Sequence, residues 1–510
     1  MTGKIVLTAP KTEMSEHHER EFLGFGACTP VNVIPRKLIE IFFYPSVEVD
    51  DDGVVKAAPY GLRKIEAVLE ENGFDVITVH PDYLGKHLRK AKVLGISAMD
   101  PLGYGPASAT FSLFFGELFN AATAIEFKRL IMSNEVREFK RLGGKIIVGG
   151  PGAWQILSAN LQDTFGIDTI VIGEAEEVAP GIFRKALYGE DLPKVVEAES
   201  PPLEKIPRIH SPSINGLVEV SRGCGRGCKF CSVALRKRKD FPLDHIIGEV
   251  EVNVRGGRRN IILHAEDVLL YGAKGLIPDK EKVLKLYNLV SKYPGVNEAG
   301  ASHMAFSSIM AQPKLIEELS QLLGLGSKKR KWMGVQIGIE TGSPKLFEKY
   351  MPGKAYPFKP REWPMVVEEG YKLLAENKIV PACTLLVGLP GETEDDIIKT
   401  IELIDKLLDY PGYIVPLVFI PMHGIPLEKY SMISKEFLTN AHYELLIRLM
   451  EYDLKWTHKL FKDYTEGLGY KKLFVKGLLW LFIKSVEMRF KRSKLYKEIL
   501  TYRKHKVLIT

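Results

Sequence analysis

The chain of 510 residues contains only five cysteines. So few thiols in so long a chain exclude a disulfide framework and fit a reducing cytoplasm. Long apolar runs are also missing, because the most apolar late segment, 473–484, is interrupted by Lys476 and is shorter than the roughly 20 residues that span a bilayer. The first residues show no basic region followed by an apolar stretch, so we expect no signal peptide. The composition predicts a soluble globular protein with more than one domain.

Acidic residues are scarce at the C-terminal end. The chain has a formal net charge of +7, and residues 451–510 hold 15 Lys or Arg against 6 Asp or Glu. Aromatic residues lie among these basic ones, a pattern that suits an anionic lipid, an acidic protein surface or nucleic acid. A solvated helical face explains the pattern equally well. We predict a basic helical C-terminal domain over 431–510.

Apolar strand-like runs alternate with helical patterns between residues 4 and 190. The strand candidates are 4–10, 75–81, 92–100, 145–152 and 168–176, with helices at 61–72 and 124–141. Short β-branched runs joined by helices predict an α/β fold with a doubly wound parallel sheet. Such sheets bind ligands at the carboxyl ends of their strands. These ends read SAMDPLGYGPAS, GGPGAW and GEAEE, and their small residues either admit a large flat ligand or simply end strands in turns.

Three cysteines lie close together after a segment rich in proline and serine, 198–215. Cys224, Cys228 and Cys231 are spaced C-x3-C-x2-C, whereas Cys28 and Cys383 are single and remote. Structural zinc takes four ligands, usually as paired C-x2-C units, and no second pair exists. Three clustered thiolates fit a [4Fe–4S] cluster with one iron left open for a substrate. We interpret Cys383, in an apolar strand, as a core residue and Cys28 as structural or incidental.

Strand–helix units follow the cysteines. The strand candidates are 216–223, 260–267, 300–309, 331–340, 380–389 and 413–422, and the helix candidates are 243–254, 279–292, 313–323, 364–377 and 394–408. Thr393 and Asp396 predict a capping box at the start of the last helix. Repeated parallel units of this kind predict a barrel whose chemistry gathers at the carboxyl ends of the strands.

The cysteine motif, with Phe230 before its last cysteine, resembles the signature of the radical S-adenosylmethionine (SAM) superfamily, whose fold is a partial (β/α)6 barrel. The resemblance implies a [4Fe–4S] cluster on Cys224, Cys228 and Cys231. It also implies SAM contacts, from the motifs HAED, GIETGSPK and LLVGLPGETEDD, by Phe230, Ala265, Glu266, Asp267, Glu340, Thr341, Ser343, Gly388, Leu389 and Pro390. The run IPMHGIP (420–426) resembles the PxxGTP run of cobalamin-dependent members, with Ile425 where threonine is usual.

The upstream turns resemble the cobalamin-binding domain that precedes many radical SAM domains. The resemblance implies a Rossmann-like cobalamin-binding domain over 1–197, joined by the linker 198–215 to a radical SAM barrel over 216–430. The implied cobalamin contacts are Ser97, Met99, Asp100, Gly149, Gly150, Pro151, Gly173, Glu174 and Glu176. The D-x-H-x-x-G motif that supplies a histidine to cobalt in many cobalamin proteins is absent. His17 and His18 are candidate lower ligands of cobalt, and a solvated surface pair is the alternative.

The two resemblances together imply a cytoplasmic cobalamin-dependent radical SAM methyltransferase. Such enzymes methylate an unactivated sp3 carbon through a 5′-deoxyadenosyl radical and methylcobalamin, and they consume two SAM molecules and need an electron donor. The runs SEHHEREFLGFGACTP, SAMDPLGYGPASATFSLFFG and HAEDVLLYG are similar to those of archaeal glutamine C-methyltransferases that act on methyl-coenzyme M reductase. This similarity implies a protein substrate, glutamine Cα in the alpha subunit of that reductase, and no nucleic acid partner.

Three other interpretations stay open. One is methylation or cyclisation of a lipid or small metabolite, with residues 473–484 lying at a membrane. Another is a cobalamin-binding sensor or carrier with a degenerate barrel, against which the intact cysteines argue. A methylthio-transferring tRNA enzyme would need a second set of clustered cysteines in the N-terminal domain, where only Cys28 lies.

Overall fold

A computed structural model describes residues 4–17, 21–29, 36–115, 121–433 and 438–465, together with Gly477, Trp480, Lys484 and Met488. His18 and nearly all of the basic tail beyond residue 465 lie outside the described residues. Among the helices of the described residues, none combines the length and the hydropathy that a bilayer span requires.

The described residues form strands and helices that alternate along the chain. The strands are β1 Lys4–Thr8, β2 Val76–Thr78, β3 Ala91–Ser97, β4 Lys145–Gly149, β5 Thr169–Gly173, β6 Val195–Ala198, β7 Leu217–Glu219, β8 Ser221–Arg222, β9 Lys239–Asp240, β10 Asn260–His264, β11 Glu298–Ala301, β12 Met333–Glu340, β13 Ile379–Val387 and β14 Tyr413–Val418. The helices are α1 Arg36–Phe43, α2 Tyr60–Glu71, α3 Leu84–His87, α4 Pro106–Phe115, α5 Ala122–Ile131, α6 Asn134–Arg141, α7 Ala153–Ser158, α8 Ala179–Tyr188, α9 Leu243–Arg255, α10 Lys280–Ser291, α11 Phe306–Ala311, α12 Pro313–Leu322, α13 Pro344–Tyr350, α14 Pro352–Ala355, α15 Trp363–Glu376, α16 Glu394–Leu407 and α17 Asn440–Thr465.

Strands β1 to β6 form a parallel sheet in the order β2-β1-β3-β4-β5-β6. One face packs against a core that contains Leu94 and Phe127. The opposite face packs against a core that contains Val93 and Phe183. Apolar cover on both faces makes the sheet doubly wound, and its strand order reverses between β1 and β3, where ligands bind in such folds.

Two sequence predictions for this sheet differ from the structure. The helix predicted over 124–141 is two helices, α5 and α6, because Ser133 leaves the helical conformation and its hydroxyl caps α6 by accepting the Val136 N–H. Strand β6, Val195–Ala198, extends the sheet beyond β5 and was not predicted.

The second half of the chain builds a partial barrel. Strands β7, β10 and β11 pair in parallel, as do β12, β13 and β14. A bridge between His303 and Gln336 joins the two groups. The predicted fold class, a doubly wound domain followed by a partial (β/α)6 barrel, is confirmed.

The strand predicted over 300–309 is wrong beyond its first two residues. Strand β11 ends at Ala301, and Phe306–Ala311 is helix α11. Phe306 and Ile309 are fully buried, and their spacing of three residues gives α11 an apolar side that packs on α15. Phe306 stacks on Tyr371 of α15 with ring centroids 5.9 Å apart. A short apolar run does not separate a strand from a buried helix in the sequence.

Buried polar contacts join the sheet domain to the barrel. Lys64 of α2 lies 2.5 Å from Glu249 of α9, with side chains 1% and 0% exposed. Lys64 also donates to the carbonyl of Pro207, so the segment predicted as a linker is packed between the two halves. On another side, the Val418 N–H of β14 donates to the hydroxyl of Thr110 in α4 at 2.8 Å. These contacts hold the carboxyl edge of the sheet beside the barrel.

Candidate active site at the mouth of the barrel

The three clustered cysteines lie in the loop between β8 and β9. Gly223, Gly225 and Gly227 adopt positive φ angles of 80°, 74° and 71°, a conformation that residues with a Cβ rarely take. A Cβ at Gly223 would lie 2.6 Å from the carbonyl oxygen of Lys237. The glycines therefore let the loop turn tightly around the cysteine side chains.

The three cysteines lie close enough together for their charges to interact. Cys228 is buried, and Cys224 and Cys231 are partly exposed. Burial raises the pKa of Cys228 to about 12, and negative charge on Cys224 and Cys231 acts in the same direction. No group of three His, Cys, Asp or Glu side chains among the described residues surrounds a single metal-ion position. Three cysteine thiolates are a donor set that fits three irons of an iron–sulfur cluster, whereas structural zinc takes four ligands.

Arg226 anchors this loop to the barrel, a role that sequence reasoning missed. Its guanidinium donates to Asp267 at 2.7 Å, to Ser308 at 2.9 Å and to Ser307 at 3.0 Å. Asp267, a predicted SAM contact, therefore has one carboxylate oxygen engaged, while its Oδ1 is buried without a hydrogen-bond partner among the described residues. No local pattern around Arg226 signals partners that lie 41 or more residues away.

Glu266 lies beside the cysteines at the end of β10. It is half-buried, and its negative charge contributes to raising the pKa of both Cys224 and Cys231, for which burial is the larger cause. Within the described part of the chain it makes no ion pair or hydrogen bond, unlike Asp267 next to it. Ala265 is buried and Phe230 packs against the barrel core. Glu266 is thus a carboxylate available to a ligand at the mouth of the barrel.

The residues predicted at the end of β12 divide into two groups. Glu340, with φ of 66°, lies 2.5 Å from Lys354 and contributes negative charge at Cys228. The hydroxyl of Ser343 instead donates to Asp396 of α16 at 2.5 Å. Thr341 is likewise buried, against Thr400 of α16. The structure therefore brings Glu340 to the cysteines, while the hydroxyls of Thr341 and Ser343 bind α16.

The end of β13 is held by backbone contacts. Gly388, with φ of 82°, donates its N–H to Glu392 at 2.7 Å. The carbonyl of Pro390 accepts from the Tyr350 hydroxyl, and Leu389 is buried. The predicted adenine contacts therefore lie in a fixed turn at the same end of the barrel.

The predicted cobalamin contacts meet at the carboxyl edge of the sheet, because they follow the neighbouring strands β3, β4 and β5. Met99 is 60% exposed there. A Cβ at Gly149 would lie 3.8 Å from the carbonyl oxygen of Val171, an ordinary van der Waals distance, so a small side chain would fit at this position. Sequence reasoning missed Glu13 at this edge: it accepts the Met99 N–H at 2.7 Å, and burial raises its pKa to about 8.

The carboxylates predicted at this edge bind other residues of the chain. Asp100 accepts from Gly105 at 2.7 Å, from Ser108 at 2.5 Å and from Gln155 at 2.9 Å. These bonds fix the loop after β3.

Glu174 and Glu176 contact Arg222 of β8 at 3.0 and 2.7 Å. Because Arg222 precedes the cysteine loop, these ion pairs join the edge of the sheet to the cysteine site. Glu174 also binds Arg236, at the end of that loop.

Gly150, Pro151 and Gly173 complete the edge, with Gly150 and Gly173 at φ of 97° and 101°. His17, the candidate cobalt ligand that the structure describes, has Nε2 2.6 Å from the carbonyl oxygen of Phe43. Cys28 lies near Ser108 and Asp100, and burial raises its pKa to about 12.

One family model matches part of the second half of the chain. Residues 218–404 match the family model described as the Radical SAM superfamily. The chain is 26% identical over 278 residues to a tRNA-2-methylthio-N(6)-dimethylallyladenosine synthase of Desulfosudis oleivorans, covering 52% of this chain and 55% of that protein. It is 27% identical over 310 residues to an uncharacterized protein of Methanopyrus kandleri, covering 48% and 54%. The chain thus spans about half the length of these curated relatives.

A solved structure resembles the whole arrangement. TsrM of Kitasatospora setae, a radical SAM methyltransferase with cobalamin and a [4Fe–4S] cluster bound, superposes with a TM-score of 0.55 at 16% identity, covering 84% of this chain and 74% of that one. The similarity shows that the two chains share a fold.

Proposed function

We propose that the chain is a cobalamin-dependent radical SAM C-methyltransferase. The observation that carries the proposal is the group of three neighbouring cysteines, with the unpaired Glu266 beside them at the mouth of the barrel. Cys224, Cys228 and Cys231 would hold a [4Fe–4S] cluster, since three thiolates leave one iron for SAM. The match of residues 218–404 to the radical SAM model supports this assignment.

The neighbouring side chains fit SAM. Glu266 would bind the SAM ammonium group, because a carboxylate without a partner pairs with a cation. Glu340 would accept from the ribose hydroxyls, and Lys354 holds it in place at 2.5 Å. The turn at 388–390 would approach the adenine. When bound, the cluster and SAM supply a 5′-deoxyadenosyl radical and cobalamin supplies the methyl group, whereas the chain positions the reactants and excludes water.

The carboxyl edge of the sheet fits cobalamin. Gly149 ends β4 at this edge and the exposed Met99 follows β3 beside it, and the TsrM structure of similar fold has cobalamin bound. The ion pairs of Arg222 with Glu174 and Glu176 keep this edge next to the cysteine loop. A shared fold and an adjacent edge support cobalamin as the second cofactor.

For the substrate we propose an unactivated carbon of a protein side chain, with glutamine Cα in the alpha subunit of methyl-coenzyme M reductase as the specific candidate. The similarity of the runs around 15–30, 97–116 and 264–272 to archaeal glutamine C-methyltransferases supports it. The relatives that are tRNA methylthio enzymes favour a second candidate, methylthiolation of tRNA. That chemistry would need more clustered cysteines upstream of residue 224 than Cys28 alone.

One experiment tests these assignments in order. The protein is reconstituted without oxygen, and we expect about four irons and one cobalamin per chain. A reductant and SAM should then give 5′-deoxyadenosine. A glutamine-containing peptide from the reductase should gain one methyl group on carbon by mass spectrometry. Absence of 5′-deoxyadenosine would refute the radical SAM assignment, and a methylthio group on a tRNA would replace the methyltransferase proposal.

A further inference from the structure

The first turn of α17 contacts the turn that ends β13. Nε2 of His442 lies 3.3 Å from Oε2 of Glu392, and the two side chains are 7% and 5% exposed. The same carboxylate oxygen accepts the N–H of Gly388 at 2.7 Å. A buried chain of two hydrogen bonds therefore joins the C-terminal helix to the turn at 388–390, for which contact with adenine is proposed above. Neither His442 nor Glu392 has a role in that proposal.

Contacts at the start of α17 fix the orientation of the His442 ring. Thr439 precedes the helix, and its backbone N–H donates to Nδ1 of His442 at 3.1 Å. This is the arrangement of a capping box, in which the third helical residue accepts the N–H of the capping residue. A ring nitrogen that accepts an N–H carries no proton of its own, so the ring proton is on Nε2. Nε2 is therefore the donor to Glu392.

Glu392 closes the turn through its backbone and its side chain. Its N–H donates to the carbonyl of Leu389 at 2.9 Å, while its carboxylate holds the N–H of Gly388. A buried carboxylate that loses one of its two donors becomes costly to keep in place. Without His442 the Glu392 side chain would turn towards water and release the N–H of Gly388.

The segment 422–433, which follows β14, lies on the same turn. A Cβ at Gly388 would be 2.7 Å from Cγ2 of Ile433, so Ile433 packs directly on the α-carbon of Gly388. Ile433 also packs against the apolar cluster that contains Leu113 of α4. The turn is therefore held by this segment on one side and by the His442 contact on another.

Other contacts anchor α17 to the barrel independently of His442. The Tyr452 hydroxyl donates to the carbonyl of Tyr410 at 2.9 Å, and Arg448 pairs with Asp405 of α16 at 2.6 Å. The helix therefore keeps its place when the contact between His442 and the carboxylate is lost. The effect of that contact falls on the turn.

We propose that His442 is a positioning residue for the adenine end of SAM and that it acts through Glu392. The ring donates to the carboxylate, the carboxylate holds Gly388, and the turn keeps the shape that binds adenine. This inference rests on the proposed function and adds to it that the C-terminal helix takes part in binding SAM.

Single variants test the effect on SAM. The dissociation constant of SAM, and the rate of 5′-deoxyadenosine formation at saturating SAM, are measured without oxygen on the cluster-loaded full chain. His442→Asn keeps an acceptor for the Thr439 N–H but is too short to donate to Glu392. We expect it to bind SAM at least about fivefold more weakly, the effect of one lost hydrogen bond. The rate at saturation should stay within about twofold, because the lost interaction is uniform binding. His442→Gln keeps both an acceptor and a longer donor and should recover most of the affinity.

A double-mutant cycle tests whether His442 acts through Glu392. Glu392→Ala should weaken SAM binding at least as much as His442→Asn does. The double variant should bind SAM as Glu392→Ala does, because the ring then has no carboxylate to hold. Tyr452→Phe is the control for a loosened helix, since it removes a contact of α17 that does not involve Glu392. It should lower the thermal midpoint and leave the dissociation constant of SAM unchanged.

The outcomes separate this inference from the proposed function. Unchanged SAM affinity in His442→Asn, additive losses in the double variant, or an equal loss in Tyr452→Phe would each overturn the inference. Every variant should hold about four irons per chain, and a His442→Asn protein that loses iron together with SAM affinity would show a role at the cluster instead. If the wild type forms no 5′-deoxyadenosine, the proposed function itself fails.

Discussion

Arg226 and Asp267 form an ion pair of 2.7 Å in which both side chains are 3% exposed. Arg226 lies between two of the cysteines, and Asp267 follows β10 next to Glu266. The pair therefore ties the cysteine loop to the strand end that carries the free carboxylate. Because both side chains are buried, the position of the cysteine loop and the position of the end of β10 depend on each other.

Replacing Arg226 with methionine should destabilise the protein and its cluster site. The change leaves Asp267 buried without its partner, a loss of about 3–5 kcal/mol. We expect a lower thermal midpoint and a lower iron content after reconstitution. The double variant Arg226→Met/Asp267→Asn leaves no stranded charge and should recover most of the midpoint. An Arg226→Met protein with the midpoint and iron content of the wild type would show that the pair does not support the loop.

Alanine at Cys224, Cys228 or Cys231 should abolish SAM cleavage and cluster assembly, because each thiolate would hold one iron. Cys28→Ala and Cys383→Ala are the matched controls. Both should retain about four irons per chain, although Cys383 is fully buried and its loss should cost about 1 kcal/mol. Iron content and 5′-deoxyadenosine yield measure both results. Full SAM cleavage by Cys224→Ala would contradict the cluster assignment.

The sequence predicted the features that depend on local spacing. The alternation of strands and helices predicted both halves of the fold. Thr393 and Asp396 form the predicted capping box, with the Asp396 carboxylate accepting the Thr393 N–H at 2.9 Å. The resemblance of the strand-end motifs implied that Glu266 and Glu340 serve the same site as the cysteines, and the parallel strands do end on one side of the barrel.

The sequence did not predict the contacts that join distant residues. Glu174 contacts Arg222 across 48 positions, and a glutamate in a turn looks the same in the sequence whether it binds a cofactor or an arginine. The cluster of His264, Ser302 and His303, in which both Nδ1 atoms lie 3.0 Å from Ser302 Oγ, was missed for a related reason. Residues 300–309 read as one apolar strand, so the end of β11 at Ala301 and the histidine after it were not distinguished.

Asp453 provides a test of stability against pH. Its carboxylate accepts the Ile414 N–H of β14 at 2.9 Å, and burial raises its pKa well above the usual value. The protonated Asp453 side chain therefore makes its full contribution to stability below about pH 4, the pKa in the unfolded chain. This contribution is lost as the pH rises towards the pKa in the folded protein. Asp453→Asn keeps an acceptor and cannot ionise. We expect the variant to have the higher thermal midpoint at pH 7 and no such advantage at pH 4. Equal differences at both pH values would contradict the raised pKa.

Gly149 allows the cobalamin site to be tested without disturbing the fold. A Cβ there meets only ordinary contacts, at 3.8 Å or more, and valine suits a strand such as β4. Gly149→Val should therefore fold, keep its iron and still form 5′-deoxyadenosine. Because the new side chain would occupy the edge proposed for cobalamin, cobalamin affinity should fall by at least about tenfold and methyl transfer should be lost.

Lys145→Val, at the opposite end of β4, is the control for a valine in the same strand and should bind cobalamin as the wild type does. Visible absorbance of the bound corrin and the thermal midpoint separate loss of binding from loss of fold. Unchanged cobalamin binding in a folded Gly149→Val protein would exclude this edge as the cobalamin surface. The barrel would then retain its radical chemistry, because its SAM contacts are independent of Gly149, and the methyl group would have to come from another part of the molecule.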